Sequence, residues 1–443
     1  MRTTCFSDFY LVTIDPPQVE RGGLRVEDGV IVERGPDVEP RPGDDVVKLA
    51  GGVLTPGLVV GHHHLYSALA RGMNGPPKAP QNFVQILERV WWVLDRVLDP
   101  DTVYWCGLAG LASAVRCGVT GVVDHHASPG CSPHSLDKLA EAFEETGQRG
   151  LLCYETSDRA GANEAARGVE ENARFLRTHA QSRLLRGAVG AHASFTLSDE
   201  TLEKLAKVVG ESGAGIHIHV LEDEADRTLS QKRWGADPIT RLARFGLLNE
   251  NALLVHGVHL NDTEIAQLAE CKAWLLHNGR SNMNNNVGRT ALGKMEDAGV
   301  RLAIGTDGID GDVLTEARVA FFRSREEQKP PSFGLPLSLL GGAQRVMSAY
   351  FGKNLHGLAV GSPADLTIFE YPSTTPFNAE NLAGHLYFGG LGPECVHSVM
   401  VDGRFVLKAR TFETLDTAQV AHHSRKAAAA LWKGMQTLWD KER

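Results

Sequence analysis

The sequence predicts an α/β protein: a (β/α)8 TIM barrel, with a small β-sandwich domain built from both chain ends. Three observations lead there. Strand-like runs recur eight times between residues 57 and 308, and helix-like segments separate most of them. The interiors of those runs are β-branched and apolar, the texture of parallel strands buried on both faces. The two ends of the chain read differently, as short strands with hairpin turns such as "VEDGV" and "VDGRFV".

In order, the barrel strands are "GLVVGHHH" (57–64), "TGVVDHH" (120–126), "RGLLCYE" (149–155) and "RGAVGAHA" (186–193). "GIHIHVLE" (215–222), "NALLVHGVH" (251–259), "AWLLHNG" (273–279) and "RLAIGTDG" (301–308) complete the set. Between them, 99–118 has apolar residues at helical spacing, an acidic start and a closing glycine. Residues 197–213 repeat that pattern with Ser198 as the N-cap, and 261–272 repeats it again. Residues 56–356 form the barrel, 1–55 and 357–411 the composite β domain, and 412–443 a C-terminal helix. That last segment has helical propensity and apolar spacing, and it is a candidate oligomer contact.

Composition narrows the function. With 42% hydrophobic residues the chain can bury a large core. A net charge of −9 without any Lys/Arg-rich block argues against nucleic acid and anionic membranes, which need a positive field. No segment has the apolar length of a membrane span or of a signal-peptide core. Seven cysteines without a CxxC pair read as reduced thiols, and so as a cytoplasmic protein.

The histidines carry the chemistry. Side chains alternate along a strand, so His62 and His64 share one face while His63 takes the other. His219, His256 and Asp307 fall at the ends of the fifth, sixth and eighth strands, the rim where barrel enzymes place their chemistry. Any one histidine reads equally well as a rim residue. Their coincidence on one rim reads as a site for one borderline metal ion with a position left for water.

"PGLVVGHHHLYSALARG", "HIHVLEDEAD", "LLVHGVHL", "HNGRSNMNNNVG" and "AIGTDG" resemble the amidohydrolase superfamily, in particular its amino- and chlorohydrolase branch. "WWVLDR", "VVDHHASP" and "GTDGIDGD" are similar to the SsnA-type aminohydrolases within it. The resemblance implies that His62, His64, His219 and Asp307 bind one divalent ion, zinc first, with iron or manganese as alternatives. It makes Glu222, in the pattern His-x-x-Glu after His219, the proton shuttle, and Asp307 also the base. His256 would polarise the reacting group, His63 would be structural, and His217 would line the barrel below the metal as a rival ligand. The fourth strand lacks the lysine that two-metal relatives carbamylate, so the resemblance implies a mononuclear site.

Further residues are weighed for the substrate. His192 reads as a substrate contact or a rim histidine. Arg280 departs from the commoner "HNPxSN" pattern, and it could grip an anionic or carbonyl-rich ring or be a solvated loop residue. Asn282 and Asn284–Asn286 order the loop, with one contact to substrate. Trp92, with Trp91, could stack on a flat ring. His125 and His126 read as structural, and His422 and His423 as exposed.

The expected function is hydrolytic deamination of an aminated nitrogen heterocycle such as a purine or pterin, by a homo-oligomer. Loss of another group, halide or ring amide, is the alternative among enzymes. A non-catalytic metal-binding protein is the alternative of another class, and a carboxylate at Glu222 beside His219 argues against it.

Overall fold

The structure, a computed structural model, describes residues 3–441. Two parallel sheets form its centre. One runs Leu58–His63, Val119–His126, Arg149–Tyr154 and Leu185–Gly187. The other runs Val189–Ala193, Ile216–Val220, Leu253–His256, Trp274–His277 and Arg301–Ile304. Leu185–Gly187 and Val189–Ala193 are successive halves of one strand broken at Ala188, so the two sheets supply the eight strands expected.

Hydrogen bonds join the sheets at both seams. Thr156 N donates to Gly190 O at 3.3 Å, and His192 N donates to Thr156 O at 3.0 Å. Opposite, Thr306 N and Asp307 N donate to His62 O at 2.9 and 3.1 Å, and His64 N donates to Asp307 O at 3.3 Å. The eighth strand is thereby tied to the first, as barrel closure requires. Gly61 permits the approach: a Cβ there would lie 2.5 Å from Ile304 O. The strand interiors are buried and mostly apolar, including Val60, Val122, Leu151, Ile218, Leu254, Leu275 and Ala303.

The helices start where the chain offers caps. Asp99 accepts from Thr102 N at 2.7 Å, Ser198 from Thr201 N at 3.1 Å, and Asn261 with Glu264 forms a full capping box.

Strands from both ends of the chain form a single nine-stranded sheet. Tyr10 and Leu11 pair with Val53 and Leu54, which in turn pair with Phe369 and Ile368. The sheet curls until Val30 bridges Pro363, so its two inner faces belong to one sheet closed around Phe6, Phe9, Leu24, Ile31, Leu366, Met400 and Phe405. Buried Arg149, on the third barrel strand, pins this sheet to the barrel through Asp365 at 2.6 and 2.9 Å.

The last helix, Thr417–Lys441, buries Val420, Leu431, Met435 and Trp439 against the barrel. Gly434 lies so close to Val97 that a Cβ would meet it at 2.2 Å. Trp432 Nε1 donates to Leu69 O and Trp439 Nε1 to Arg89 O, both at 2.8 Å. The helix therefore braces the loops over the site. His422 is exposed as expected; His423 is not, because it stacks on Trp105 with ring centroids 4.7 Å apart. No described helix is long and apolar enough to cross a membrane.

Candidate metal centre and active site

His62, His64, His219, Glu222, His256 and Asp307 converge at the carboxyl end of the barrel. Ligand atoms of His62, His219, His256 and Asp307 all lie within 4.8 Å of one another. His64 Nε2 is 3.0 Å from Asp307 Oδ1 and 3.2 Å from His219 Nε2. His62 Nε2 is 3.4 Å from the same Asp307 oxygen. The backbone turns sharply where these side chains are aimed: Leu221, His256 and Asp307 hold φ of 48°, 72° and 52°, in the left-handed region.

The hydrogen bonds behind the rings decide what the front atoms are. His64 Nδ1 faces His125 O at 2.6 Å, and His219 Nδ1 faces His192 O at 2.8 Å. A carbonyl only accepts, so both Nδ1 atoms carry the proton and donate. The two Nε2 atoms then point lone pairs at each other across 3.2 Å. Nitrogens of two imidazoles around one tetrahedral zinc stand about 3.3 Å apart, so a cation between them turns repulsion into ligation. His62 Nε2 is a buried nitrogen with no hydrogen-bond partner among the described residues, which fits a third donor. The residues present thus suit a divalent ion.

Electrostatics agree. Burial, and then the neighbouring histidines, push His219 well below the usual histidine range. Burial pushes His62 down as well. Burial opposes charge on His64, but Asp307 outweighs it and raises the ring to about 9. Burial would raise Asp307, yet His62 and His64 hold it well below the usual carboxylate range. The site is built to hold one positive charge, whether proton or metal.

Other histidines are excluded by their partners. His125 is fully buried, with Nδ1 on Glu155 at 3.2 Å and Nε2 on Ala191 O and His217 O at 3.1 Å each. Both nitrogens are engaged. His217 lies below His62, with Nε2 2.9 Å from His62 Nδ1 and Nδ1 3.4 Å from Cys153 Sγ. Burial raises the Cys153 thiol far above its usual range. His63 turns away and bonds Thr306 at 3.0 Å.

Glu222 stands on the cavity wall, with Oε1 accepting from Asn285 at 3.1 Å and Oε2 3.4 Å from His256 Nε2. Burial raises its carboxyl, the direction that suits a group taking up and releasing a proton. His256 is buried, and its Nδ1 faces Asn282 Oδ1 at 2.8 Å. Ser281 Oγ bonds the second oxygen of Asp307.

Of the residues weighed for substrate, His192 and Trp92 line the cavity, whose volume is about 170 Å³. Trp91 lines it too, at the junction of a π-helical turn over Leu87–Trp91 and the helix Trp92–Val97. Asn282 does not reach the cavity; its amide orients His256. The substrate-gripping expectation for Arg280 is corrected. Its Nη1 and Nη2 donate to Asp310 at 3.0 and 2.7 Å, and its Nε donates to Glu316. Every arm of the fork is engaged by carboxylates outside the cavity.

Sequence reading missed Asp95, Glu155, Phe83 and Phe195, all of which line the cavity. Asp95 sits in "WWVLDR", but nothing local marks it as facing inward. Glu155 ends the third strand, the same strand-end position that drew attention to the histidines.

Over 425 residues the chain is 30% identical to a 5-methylthioadenosine/S-adenosylhomocysteine deaminase of Desulforudis audaxviator, covering 93% of this chain and 95% of that protein. A 5′-deoxyadenosine deaminase of Methanosarcina mazei is 28% identical over 438 residues, covering 95% and 96%. Among solved structures, an adenosine deaminase from Xanthomonas campestris with bound zinc matches with a TM-score of 0.84 at 23% identity, covering 96% and 99%. Atrazine chlorohydrolase TrzN from Arthrobacter aurescens, complexed with zinc, matches with a TM-score of 0.82 at 20% identity, covering 96% and 100%. These structural likenesses support the barrel fold. Residues 53–406 match the amidohydrolase family model, and the chain belongs to the amidohydrolase family.

Proposed function

We propose that the protein is a metal-dependent aminohydrolase that removes the exocyclic amine of a nucleoside-like nitrogen heterocycle, releasing ammonia. The observation that carries this reading is the position of Glu222: a buried carboxyl whose burial favours the protonated form, on the cavity wall, 3.4 Å from His256 and three residues past His219. A pure binding site has no use for such a group. The two relatives named above, both deaminases by name and aligned over most of the chain, favour amine over halide as the leaving group.

His62, His64, His219 and Asp307 would hold one zinc ion per chain, in the arrangement that Nδ1 donation to carbonyls imposes on His64 and His219. Zinc, when bound, makes water a usable nucleophile near neutral pH. Asp307, kept anionic, accepts the proton that the attacking water gives up. Glu222 delivers its proton to a ring nitrogen, so that the carbon bearing the amine becomes electrophilic. The tetrahedral carbon then loses its amine, which leaves as ammonia after taking a proton routed through the carboxyls. His256, oriented by Asn282, faces the same region and stabilises charge that develops there. Water adds and ammonia departs, so the ring gains a carbonyl in place of its amine.

The test is ammonia release by zinc-loaded enzyme across aminated purines, purine nucleosides, pterins and pyrimidines. Tight binding of several rings with no ammonia from any would reject the reading in favour of a binding protein. A cytoplasmic homo-oligomer is also our reading; equilibrium sedimentation giving a monomer would remove the oligomer.

A further inference from the structure

Tyr66 lines the cavity and has no part in the chemistry above. It sits on the short helical turn Leu65–Ala70 that follows the first barrel strand, and it is buried. Cys106 Sγ donates to its backbone carbonyl at 3.2 Å. Its ring stands edge-on to His64 and His126, with centroids 5.2 and 5.9 Å away. Its hydroxyl has no hydrogen-bond partner among the described residues. Trp92 Nε1 and Asp95 Oδ1 also lack partners but are sealed from the cavity; the Tyr66 hydroxyl is not sealed.

His192 presents the complementary atom. Its Nδ1 lies 2.8 Å from Thr196 Oγ1, and that hydroxyl donates its one proton to Ala193 O at 2.9 Å. Thr196 therefore accepts from Nδ1–H, and Nε2 carries a lone pair. Nε2 is 4.0 Å from Glu155 Oε1, outside hydrogen-bond reach, and burial disfavours the protonated ring. It too is neither paired among the described residues nor sealed off. The His192 ring centroid is 5.7 Å from that of His219, so donor and acceptor both flank the metal ligands.

Water can serve both atoms until a ring displaces it. That ring must then offer an acceptor to Tyr66 and a donor to His192, or leave a buried polar atom unpaired. The departing amine is committed at the reacting carbon, so the donor must come from elsewhere on the ring. A lactam, with N–H beside C=O, offers both.

We propose that Tyr66 is a specificity-determining residue: its hydroxyl, together with His192 Nε2, reads a lactam edge, so the substrate is an aminated heterocycle that also carries a ring carbonyl next to an N–H. This deepens the aminohydrolase reading and rests on it. It also sets the chain apart from relatives named for adenosines, whose adenine ring has no carbonyl.

The experiment uses zinc-loaded full-length protein and four matched pairs that share their exocyclic amine. These are guanine and 2-aminopurine, isoguanine and adenine, pterin and 2-aminopteridine, and cytosine and 4-aminopyrimidine, with the purines also as ribosides. Turnover is read as ammonia. Binding is read by equilibrium dialysis, with zinc-loaded Glu222→Gln replacing wild type wherever the ring is consumed. In the best-used pair the oxo member should be favoured at least about 10-fold in kcat/KM, because its partner leaves a buried group unpaired. Tyr66→Phe keeps the ring, should retain its zinc, and should narrow that ratio through a raised KM for the oxo member. If that variant does not fold, His192→Phe, which removes the acceptor, should narrow the same ratio. Preferential binding of oxo members with no ammonia from any pair would reject the aminohydrolase reading and leave the lactam edge standing. Ammonia released equally from both members of every pair, or no member of any pair bound, would overturn the lactam edge. An unchanged ratio in a folded Tyr66→Phe would remove Tyr66 from its role.

Discussion

Nε2 of His64 and Nε2 of His219 face each other at 3.2 Å, while the Nδ1 of each ring is committed to a backbone carbonyl. Two neutral imidazoles held this way would repel, so the pair gains from a cation between them, a proton on His64 in the metal-free protein or a metal ion in its place. The first prediction concerns that ion. Protein purified without added metal should carry close to one equivalent of a divalent ion, and His219→Ala should lose it. Zinc at a thousand times its Kd should stabilise the fold by about 4 kcal/mol, read as a rise in Tm over the chelated protein. Two equivalents per chain, or undiminished binding by His219→Ala, would contradict the assignment.

His217 would support a bound ion from below. Ligation through His62 Nε2 puts the proton on Nδ1, which then donates to His217 Nε2 at 2.9 Å. His217 in turn presents Nδ1–H to Cys153 Sγ at 3.4 Å. Removing such an orienting partner costs about 10–100-fold in metal affinity. His217→Leu should lose that much in competition against a fluorescent chelator, and His217→Gln, which keeps an acceptor, should lose less. Equal affinity in wild type and His217→Leu would show that His62 needs no partner.

Arg280 holds the fold together near the site. Glu316 is fully buried, and Arg280 is its guanidinium partner. Breaking a buried pair by removing one member costs about 3–5 kcal/mol. Arg280→Met should therefore lower Tm markedly and leave KM near that of wild type. A raised KM at unchanged Tm would restore the substrate-gripping role.

Glu222 trades stability for chemistry. Its carboxyl is raised from 4.5 by burial. A carboxyl with a raised folded pKa costs the fold nothing below its unfolded pKa, and it destabilises increasingly as pH climbs through the folded value. In metal-free protein, Glu222→Gln should accordingly melt higher than wild type at neutral pH, with the gap closing as pH falls toward 4.5. A variant that melts lower than wild type at neutral pH would contradict the direction.

Much of the fold could be read from the sequence. A buried parallel strand is a short apolar run ending in polar residues, and all eight such runs became barrel strands. The clustering of His62, His64, His219, His256 and Asp307 followed from strand alternation and a shared rim. Arg280, Asn282 and Asp95 were harder for one physical reason. Each lies on a six-residue helix, Trp92–Val97 or Gly279–Asn284, too short for a period of 3.6 to be read from the sequence. The carboxylates that bind Arg280 lie 30 and 36 residues away, a pairing that sequence spacing does not reveal. Trp91 and Trp92 both line the cavity, at the junction of a π-helical turn and the helix that follows it.

We propose that Glu222 moves protons in a metal-dependent deamination. The most direct measurement is ammonia release by zinc-loaded Glu222→Gln on the best ring found for wild type, with metal content and ring binding measured on the same sample. The variant should keep its metal and still bind the ring, and its kcat should fall by about 10²–10⁴-fold or more. Turnover at the wild-type rate would contradict the account.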